Sequence, residues 1–113
     1  MDAVPFTKMS GSGNDFILID HRDRRLDEGS LAAFVVGVCR RRLSVGADGV
    51  ILVERSESAD FRWRFFNADG SPAAMCGNGA RCAARFAVLQ GVCGPQCRFE
   101  TGAGVIEAVF AGE

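Results

Sequence analysis

One cysteine in the sequence is placed where a reactive thiol could form. Cys76 is followed directly by Gly77, Asn78 and Gly79, and residues 80–89 have the pattern of a helix. A cysteine just before a helix N-terminus is exposed to the positive end of the helix dipole and to free backbone N–H groups, and both favour the thiolate over the thiol. The same N–H groups can bind a carboxylate or another small anion. The pattern therefore predicts a base or nucleophile beside an anion-binding site.

The five cysteines allow two other interpretations. A zinc site could use Cys76, Cys82, Cys93 and Cys97, but the spacing C-x5-C-x10-C-x3-C lacks the paired short knuckles of zinc-binding motifs. A disulfide or redox pair could join Cys93 to Cys97, although C-x3-C differs from the C-x-x-C of thioredoxin-like sites. Cys82 and Cys39 are expected to be small apolar residues packed in a core. An odd number of cysteines without disulfide-framework spacing favours a reduced, cytoplasmic protein.

The composition argues against nucleic-acid and membrane functions. The 113 residues are 48% hydrophobic with a net charge of -1, which suits one domain with a core and gives no global field to attract a polyanion. Basic clusters at residues 22–25 and 40–42 lack the interleaved aromatic residues of a nucleic-acid stacking surface. No apolar run reaches the roughly 18 residues of a membrane span, and the N-terminus has no secretory-signal pattern. We therefore expect neither a nucleic-acid nor a membrane partner.

Strands and two helices would position Cys76, so the sequence predicts an α+β domain. Ser30 is expected to cap a helix that runs to about Leu43, and Gly91 to end the helix after Cys76. Alternation in residues 60–66 places three aromatic side chains on the core face and two arginines opposite. The predicted strands are residues 4–9, 15–20, 50–54, 60–66, 98–101 and 105–110.

Several polar residues have a purely structural interpretation as well as a functional one. Asn14 follows a glycine-rich turn and could be a turn residue. Asn67 and Asn78 also lie at turns, where asparagine caps the local backbone more often than it binds a ligand. His21 is the only histidine and is flanked by charge after a strand, so we expect it on the surface.

Four segments together resemble the N-terminal half of the diaminopimelate epimerase family. They are FTKMSGSGNDF at residues 6–16, GADG at 46–49, FNADGS at 66–71 and MCGNGARC at 75–82. The resemblance runs from Phe6 to Phe110, and four motifs in the right order are more specific than any single glycine pattern. Proline racemase-like and phenazine-pathway isomerase-like proteins are the nearest rivals, but the last two motifs favour the diaminopimelate branch.

The resemblance implies an epimerase that interconverts LL- and meso-2,6-diaminopimelate for lysine and peptidoglycan precursor biosynthesis, without pyridoxal phosphate, another cofactor or a metal. In the family, two cysteines on opposite faces of the substrate α-carbon act as thiolate base and thiol acid. Cys76 matches one of them. Substrate contacts carry over to Asn14, Asn67, Gly77 and Asn78. A glutamine that contacts substrate in some members falls at Gly49, where glycine cannot replace it.

The resemblance also implies that residues 1–113 are one domain of two, with the C-terminal domain and its cysteine absent. The implied fold is a curved, barrel-like, mostly antiparallel sheet around the helix after Cys76, with the Ser30 helix outside. The expected partners are diaminopimelate and a missing C-terminal half or partner chain, and exposed apolar surface would also allow a homodimer. Alone, the chain is expected to be inactive. The alternative is a non-catalytic binding or assembly module that uses the thiol for redox pairing.

Overall fold

Six strands form one mixed sheet whose order in space follows their order in the chain. The computed structural model describes residues 4–11, 13–40, 46–73 and 76–109. The strands are β1 (Thr7–Gly11), β2 (Asn14–Asp20), β3 (Gly49–Glu54), β4 (Phe61–Asn67), β5 (Gln96–Thr101) and β6 (Gly104–Val109). Helix α1 (Leu31–Cys39), after a 3-10 turn at Glu28–Ser30, joins β2 to β3, and helix α2 (Gly77–Leu89) joins β4 to β5. These two crossovers make the β2–β3 and β4–β5 pairs parallel, while the three remaining pairs are antiparallel.

The central strands β2 and β3 are covered on both faces, which explains their continuous apolar runs. Successive side chains of a strand point to opposite faces, so each run divides between two cores. The inner core, against α2, takes Phe16, Leu18, Ile51 and Val53. The outer core, against α1, takes Ile17, Ile19, Val50 and Leu52.

The sheet curves around α2. This helix contacts both edge strands, β1 and β6, as well as β2 and β3. A flat six-stranded sheet would be about 24 Å between its edge strands, at about 4.8 Å per strand. A helix is only about 10 Å wide, so contact with both edges requires the sheet to bend over it. The expected curved sheet with α2 inside and α1 outside is therefore confirmed, but in the described part of the chain the sheet is open, with β1 and β6 at its edges.

The helix boundaries differ from those predicted. Helix α1 ends at Cys39 rather than near Leu43, because Arg40 already has an extended backbone (φ -66°, ψ 117°). Residues 41–45, which hold the remainder of the predicted helix, lie outside the described residues. Ser30 occupies the N-cap position without a side-chain capping bond, since its hydroxyl donates back to Asp27. Helix α2 begins three residues earlier than predicted, and Gly91 (φ +74°) follows its C-terminus as expected. Neither described helix is long and apolar enough to cross a membrane.

His21 is buried, so its predicted surface position is wrong. It is 2% exposed, and the alternation of β2 places it on the α1 side of the sheet, the same side as Ile17 and Ile19. Its Nε2 accepts the Leu26 backbone N–H at 3.1 Å, which requires a neutral ring with the proton on Nδ1. That Nδ1–H donates to Glu54 Oε2 at 2.7 Å, and Arg62 donates to Glu54 Oε1 at 2.7 Å. Burial raises the pKa of the Glu54 carboxyl, but the hydrogen bonds from His21 and Arg62 outweigh burial and hold that pKa below its ordinary value.

Replacing Glu54 with glutamine should destabilise the protein at neutral pH by about 2 kcal/mol, because it removes the buried counter-charge of Arg62 and one acceptor. A carboxyl whose folded pKa is depressed contributes stability above its unfolded pKa and loses it as pH falls through the folded pKa. The difference between wild type and Glu54→Gln should therefore shrink below about pH 4.5, the ordinary value. Urea unfolding of both proteins at pH values above and below about 4.5 measures this stability difference. Glu57→Gln, an exposed neighbour, is the matched control. A difference that does not change with pH would contradict the assignment.

Gly49 allows β3 to pack closely against β4. It pairs with Asn67, and a Cβ at Gly49 would lie 2.6 Å from the backbone oxygen of Phe66 and 2.9 Å from the Phe65 ring. We predict that Gly49→Ala lowers the free energy of unfolding by about 2 kcal/mol through this overlap. The control is Gly37→Ala in α1, where a Cβ meets no atom within 4 Å and should stabilise the helix by roughly 0.5–1 kcal/mol. Denaturant midpoints of the two variants should therefore move in opposite directions.

Candidate active site

The predicted site residues lie at one end of the sheet. Strands β2 and β3 begin there, β4 ends there at Asn67, and α2 follows from the segment after β4. The register places Phe16, Gly49 and Asn67 in one row across three strands. Asn14 begins β2, two residues before Phe16. The topology therefore gathers side chains that are far apart in the sequence.

Cys76 occupies the N-cap position of α2, as predicted. Its backbone is extended (φ -133°, ψ 124°), and its carbonyl accepts the Ala80 N–H at 2.8 Å, the first bond of the helix. The N–H groups of residues 77–79 precede that first bond, and the Cys76 side chain does not cap them. The thiol is free and half-buried, and it packs against the inner core. A thiol, backbone donors that the Cys76 side chain does not cap, and the edge of the inner core thus meet at one helix end.

A side-chain hydrogen bond ties the start of α2 to the start of β2. Asn78 Nδ2 donates to Asn14 Oδ1 at 2.9 Å, across 64 residues of sequence. The Arg81 guanidinium donates to Asn78 Oδ1. Both ends of the Asn78 amide are therefore engaged within the protein, and the backbone N–H of Asn78 lies at the helix end beside those of Gly77 and Gly79. The structure brings Cys76, Gly77, Asn78 and Asn14 together.

Asn67 shares this end of the sheet, where it pairs with Gly49, but its side-chain hydrogen bond is local. Its backbone N–H donates to the Ser71 carbonyl at 2.8 Å, and its amide Nδ2 donates to Ser71 Oγ at 3.1 Å. Asp69 holds the same turn by accepting from the backbone and hydroxyl of Ser71 at 2.9 and 2.6 Å. The turn-capping interpretation of Asn67 describes this arrangement, and its amide is exposed to solvent.

Asp15 and Asp48 form a support for Asn14 that the residue pattern did not reveal. The Asp15 backbone N–H donates to Asp48 Oδ2 at 2.7 Å, and the Asp48 N–H donates to the Asp15 carbonyl at 2.9 Å. Ser10 Oγ donates to Asp15 Oδ1 at 2.6 Å and fixes the β1–β2 turn. The signal for this support was that Asp15 and Asp48 lie in two of the four segments that carry the family resemblance, FTKMSGSGNDF and GADG.

Of the other four cysteines, Cys39, Cys93 and Cys97 lie away from this arrangement of groups, whereas Cys82 also lines a cleft beside Asn78. Cys82 is 6% exposed in the inner core and Cys39 is 5% exposed in the outer core, which confirms their predicted packing. Burial raises the pKa of the Cys82 thiol. Cys93 and Cys97 lie at disulfide-bonding distance, with Cα atoms 5.8 Å apart. Among the described residues, these two cluster with Asp60 and not with Cys76 or Cys82, so the four-cysteine zinc site does not assemble.

A cleft of about 350 Å³ opens beside Asn78, between β1 and α2. Arg81 and Arg85 line it together with Met9, Ser10 and Cys82, so positive side chains lie next to the helix N-terminus. A second cleft of about 430 Å³, lined by Phe6, Arg55 and Phe86 among others, contains none of the predicted site residues. Cleft size therefore does not identify the site. Of the predicted site residues, only Asn78 lines the smaller cleft, and its arginines make it suited to an anion. The site is therefore assigned from the thiol and backbone donors at the start of α2, which favour a small anion there.

Comparison with known proteins gives the chain its family. A family model described as diaminopimelate epimerase matches residues 6–112. The diaminopimelate epimerase of Aquifex aeolicus is 51% identical over 93% of this chain and 40% of its own length, and that of Archaeoglobus fulgidus is 50% identical over 92% of this chain and 38% of its own. The chain thus spans about 40% of the length of these curated relatives.

The fold is shared more widely than the sequence. The crystal structure of the Bacillus anthracis phenazine biosynthesis protein of the PhzF family matches with a TM-score of 0.66 at 22% identity, over 92% of this chain and 33% of that one. This likeness shows the fold alone. The family model matches residues 6–112, which is most of the chain, so the chain belongs to the diaminopimelate epimerase family.

Proposed function

We propose that this chain supplies the thiol base and the carboxylate-binding half of an active site that inverts an α-carbon of diaminopimelate. The observation that carries the proposal is Cys76 at the N-cap of α2, beside uncapped N–H groups of Gly77 and Asn78. Two relatives that align with more than 90% of this chain are diaminopimelate epimerases. In the same proposal, residues 1–113 form the N-terminal domain of the enzyme, and the reaction takes place in the cytoplasm.

The chemistry asks for stabilisation of a carbanion without a cofactor that accepts electrons. The Cys76 thiolate takes the α-proton and becomes a thiol, and the electron pair stays on the α-carbon and spreads into the carboxylate. Backbone N–H groups of Gly77 and Asn78, with the helix dipole, stabilise the charge that develops there. The inner core against which Cys76 packs helps because a thiolate shielded from water is a stronger base than one in water.

Asn14 and Asn67 have different parts in this proposal. Asn14 holds the Asn78 side chain, so it fixes the position of the backbone donors and lies beside the substrate. Asn67 binds substrate by exchanging its Ser71 hydrogen bond for one to the ligand, since its amide is exposed. Gly49 takes no part through a side chain, because its close approach to Phe66 leaves no room for one.

Inversion needs a second thiol on the opposite face of the α-carbon. The other free cysteines of the chain, Cys39 and Cys82, are buried in the two cores and cannot supply it. The second thiol therefore comes from a C-terminal half, from a separate partner chain or, in a homodimer, from Cys76 of the other copy. The open edge of the sheet agrees with such a partner, since Val105 and Val109 on β6 are 49% and 66% exposed.

Exchange of the diaminopimelate α-proton with deuterium oxide tests the reaction. The 113-residue chain alone should exchange it no faster than buffer. A chimera in which residues 6–112 replace the matching segment of the Aquifex aeolicus relative should exchange it. Within the chimera, Cys76→Ala should lower the rate by about 100- to 10,000-fold, the usual contribution of a general base. Cys82→Ala is the matched control and should keep most of the activity, with only a loss of stability.

Three results would count against this proposal. Exchange at an enzyme-like rate by the chain alone would show that no second half is required. A folded chimera that exchanges equally fast with and without Cys76 would remove Cys76 from the reaction, and a folded chimera that does not exchange at all would favour the non-catalytic binding or assembly module.

The reactivity of the thiols can be tested on the chain itself. We expect Cys76 to be alkylated by iodoacetamide at least about tenfold faster than Cys82, because it is half-buried at a helix N-terminus, while Cys82 is buried and its pKa is raised. A mass-spectrometric time course assigns each modified cysteine. Cys76→Ala should remove the fast phase and Cys82→Ala should keep it. Uniformly slow alkylation of every cysteine would contradict an activated base at Cys76.

A further inference from the structure

A second group of reactive side chains lies at the other end of α2 from Cys76. Asp60 precedes β4, and Cys93 and Cys97 flank the turn that leads from α2 into β5. One ligand atom from each of the three residues lies within 4.8 Å of the other two. The 13 residues of α2 span about 20 Å at about 1.5 Å per residue, so this group is separate from the candidate active site.

We propose that the reduced form of this group binds a thiophilic divalent cation such as Zn²⁺, with Cys93, Cys97 and Asp60 as ligands and water in the fourth position. Reduction of the Cys93–Cys97 disulfide by a small thiol yields two protein thiols and the disulfide of that reagent. Binding of the cation then releases the two thiol protons, since thiolate is the ligand. Two sulfurs, one carboxylate and a water suit a tetrahedral Zn²⁺ centre.

The geometry requires little movement from the disulfide-bonded arrangement. With a Zn–S bond of about 2.3 Å, two thiolates on one tetrahedral ion lie about 3.8 Å apart. That separation lies inside the 4.8 Å envelope of the group, and side-chain rotation can reach it without moving the Cα atoms, which are 5.8 Å apart. Oxidation joins the sulfurs to each other and removes both thiolate ligands. The disulfide and the bound cation therefore exclude each other.

The third ligand is held in place by backbone contacts. The Arg98 N–H donates to Asp60 Oδ2 at 2.8 Å, and the Asp60 N–H donates to the Arg98 carbonyl at 2.9 Å. A hydrogen bond of this kind orients a metal-binding carboxylate. Asp60 and Arg98 also join the start of β4 to β5, next to the stacked rings of Phe61 and Phe99. A cation bound here would therefore tie the end of α2 to the β4–β5 pair.

Cadmium is the probe, because thiolate binding gives an ultraviolet charge-transfer band. The reduced, metal-free chain should bind one equivalent of Cd²⁺ and show the absorption band of two thiolates. Saturation with Cd²⁺ should raise the thermal unfolding midpoint of the chain. Cys93→Ser, at a half-buried position, should lose the two-thiolate band, and Asp60→Asn should weaken binding at least about tenfold. Oxidised wild type, in which Cys93 and Cys97 form a disulfide, should not bind Cd²⁺ at this site, and this test requires no substitution. Glu57→Gln and Cys76→Ser are controls that should bind as wild type does.

Three outcomes would overturn the site. One is a band that Cys93→Ser leaves unchanged. Another is loss of the band in Cys76→Ser, which would place the cation at the candidate active site. The third is equal affinity in Asp60→Asn and Glu57→Gln, which would remove Asp60 from the ligand set. Circular dichroism of each variant confirms that the fold persists. None of these results depends on epimerase activity.

Discussion

The packing of α2 inside the curved sheet determines where the chemistry lies. Its buried positions are nearly all small, and Phe86 is their one large side chain. Small residues let strands from both edges of the sheet approach the helix, and the resulting enclosure leaves α2 no freedom to slide or turn. The start of the helix is therefore fixed relative to the starts of β2 and β3. The position of Cys76 follows from alanines and glycines that take no part in any reaction.

One hydrogen bond converts that packing into a defined site. Asn78 and Asn14 lie on different elements, and their 2.9 Å contact orients the first turn of α2 against β2. The Asp15–Asp48 pair holds the start of β2 against the residue before β3, so the support is polar where the core ends. Such contacts are directional, whereas apolar packing is not, and the proposed carboxylate-binding role needs direction. The helix donors are then presented by a rigid frame rather than by a loop.

Local patterns predicted the elements and not the contacts between distant residues. The apolar runs of β2 and β3, the alternation of β4 and the small-residue helix were all visible, because each depends on neighbours in sequence. His21 was misplaced because its partner, Glu54, lies 33 residues away, and the flanking charges suggested a surface position. Asp15 and Asp48 are also 33 residues apart. The contact between Asn14 and Asn78 could be suspected only from the family motifs, because the local sequence around either residue does not indicate which distant residue it meets.

Five cysteines with one intrinsic chemistry acquire three behaviours from their positions. Cys39 and Cys82 are buried, and burial penalises the thiolate, so the pKa of Cys82 is raised and this thiol stays protonated at neutral pH. Cys82 is only six residues beyond Cys76 on α2, yet it lies past the uncapped N–H groups and deep in the inner core. It is a poorer base than Cys76 in the proposed reaction, because burial disfavours its charged form and it lies beyond the N–H groups at the start of the helix. The proposed reactivity of Cys76 therefore depends on its position at the helix terminus, because the same residue type is also found buried in both cores.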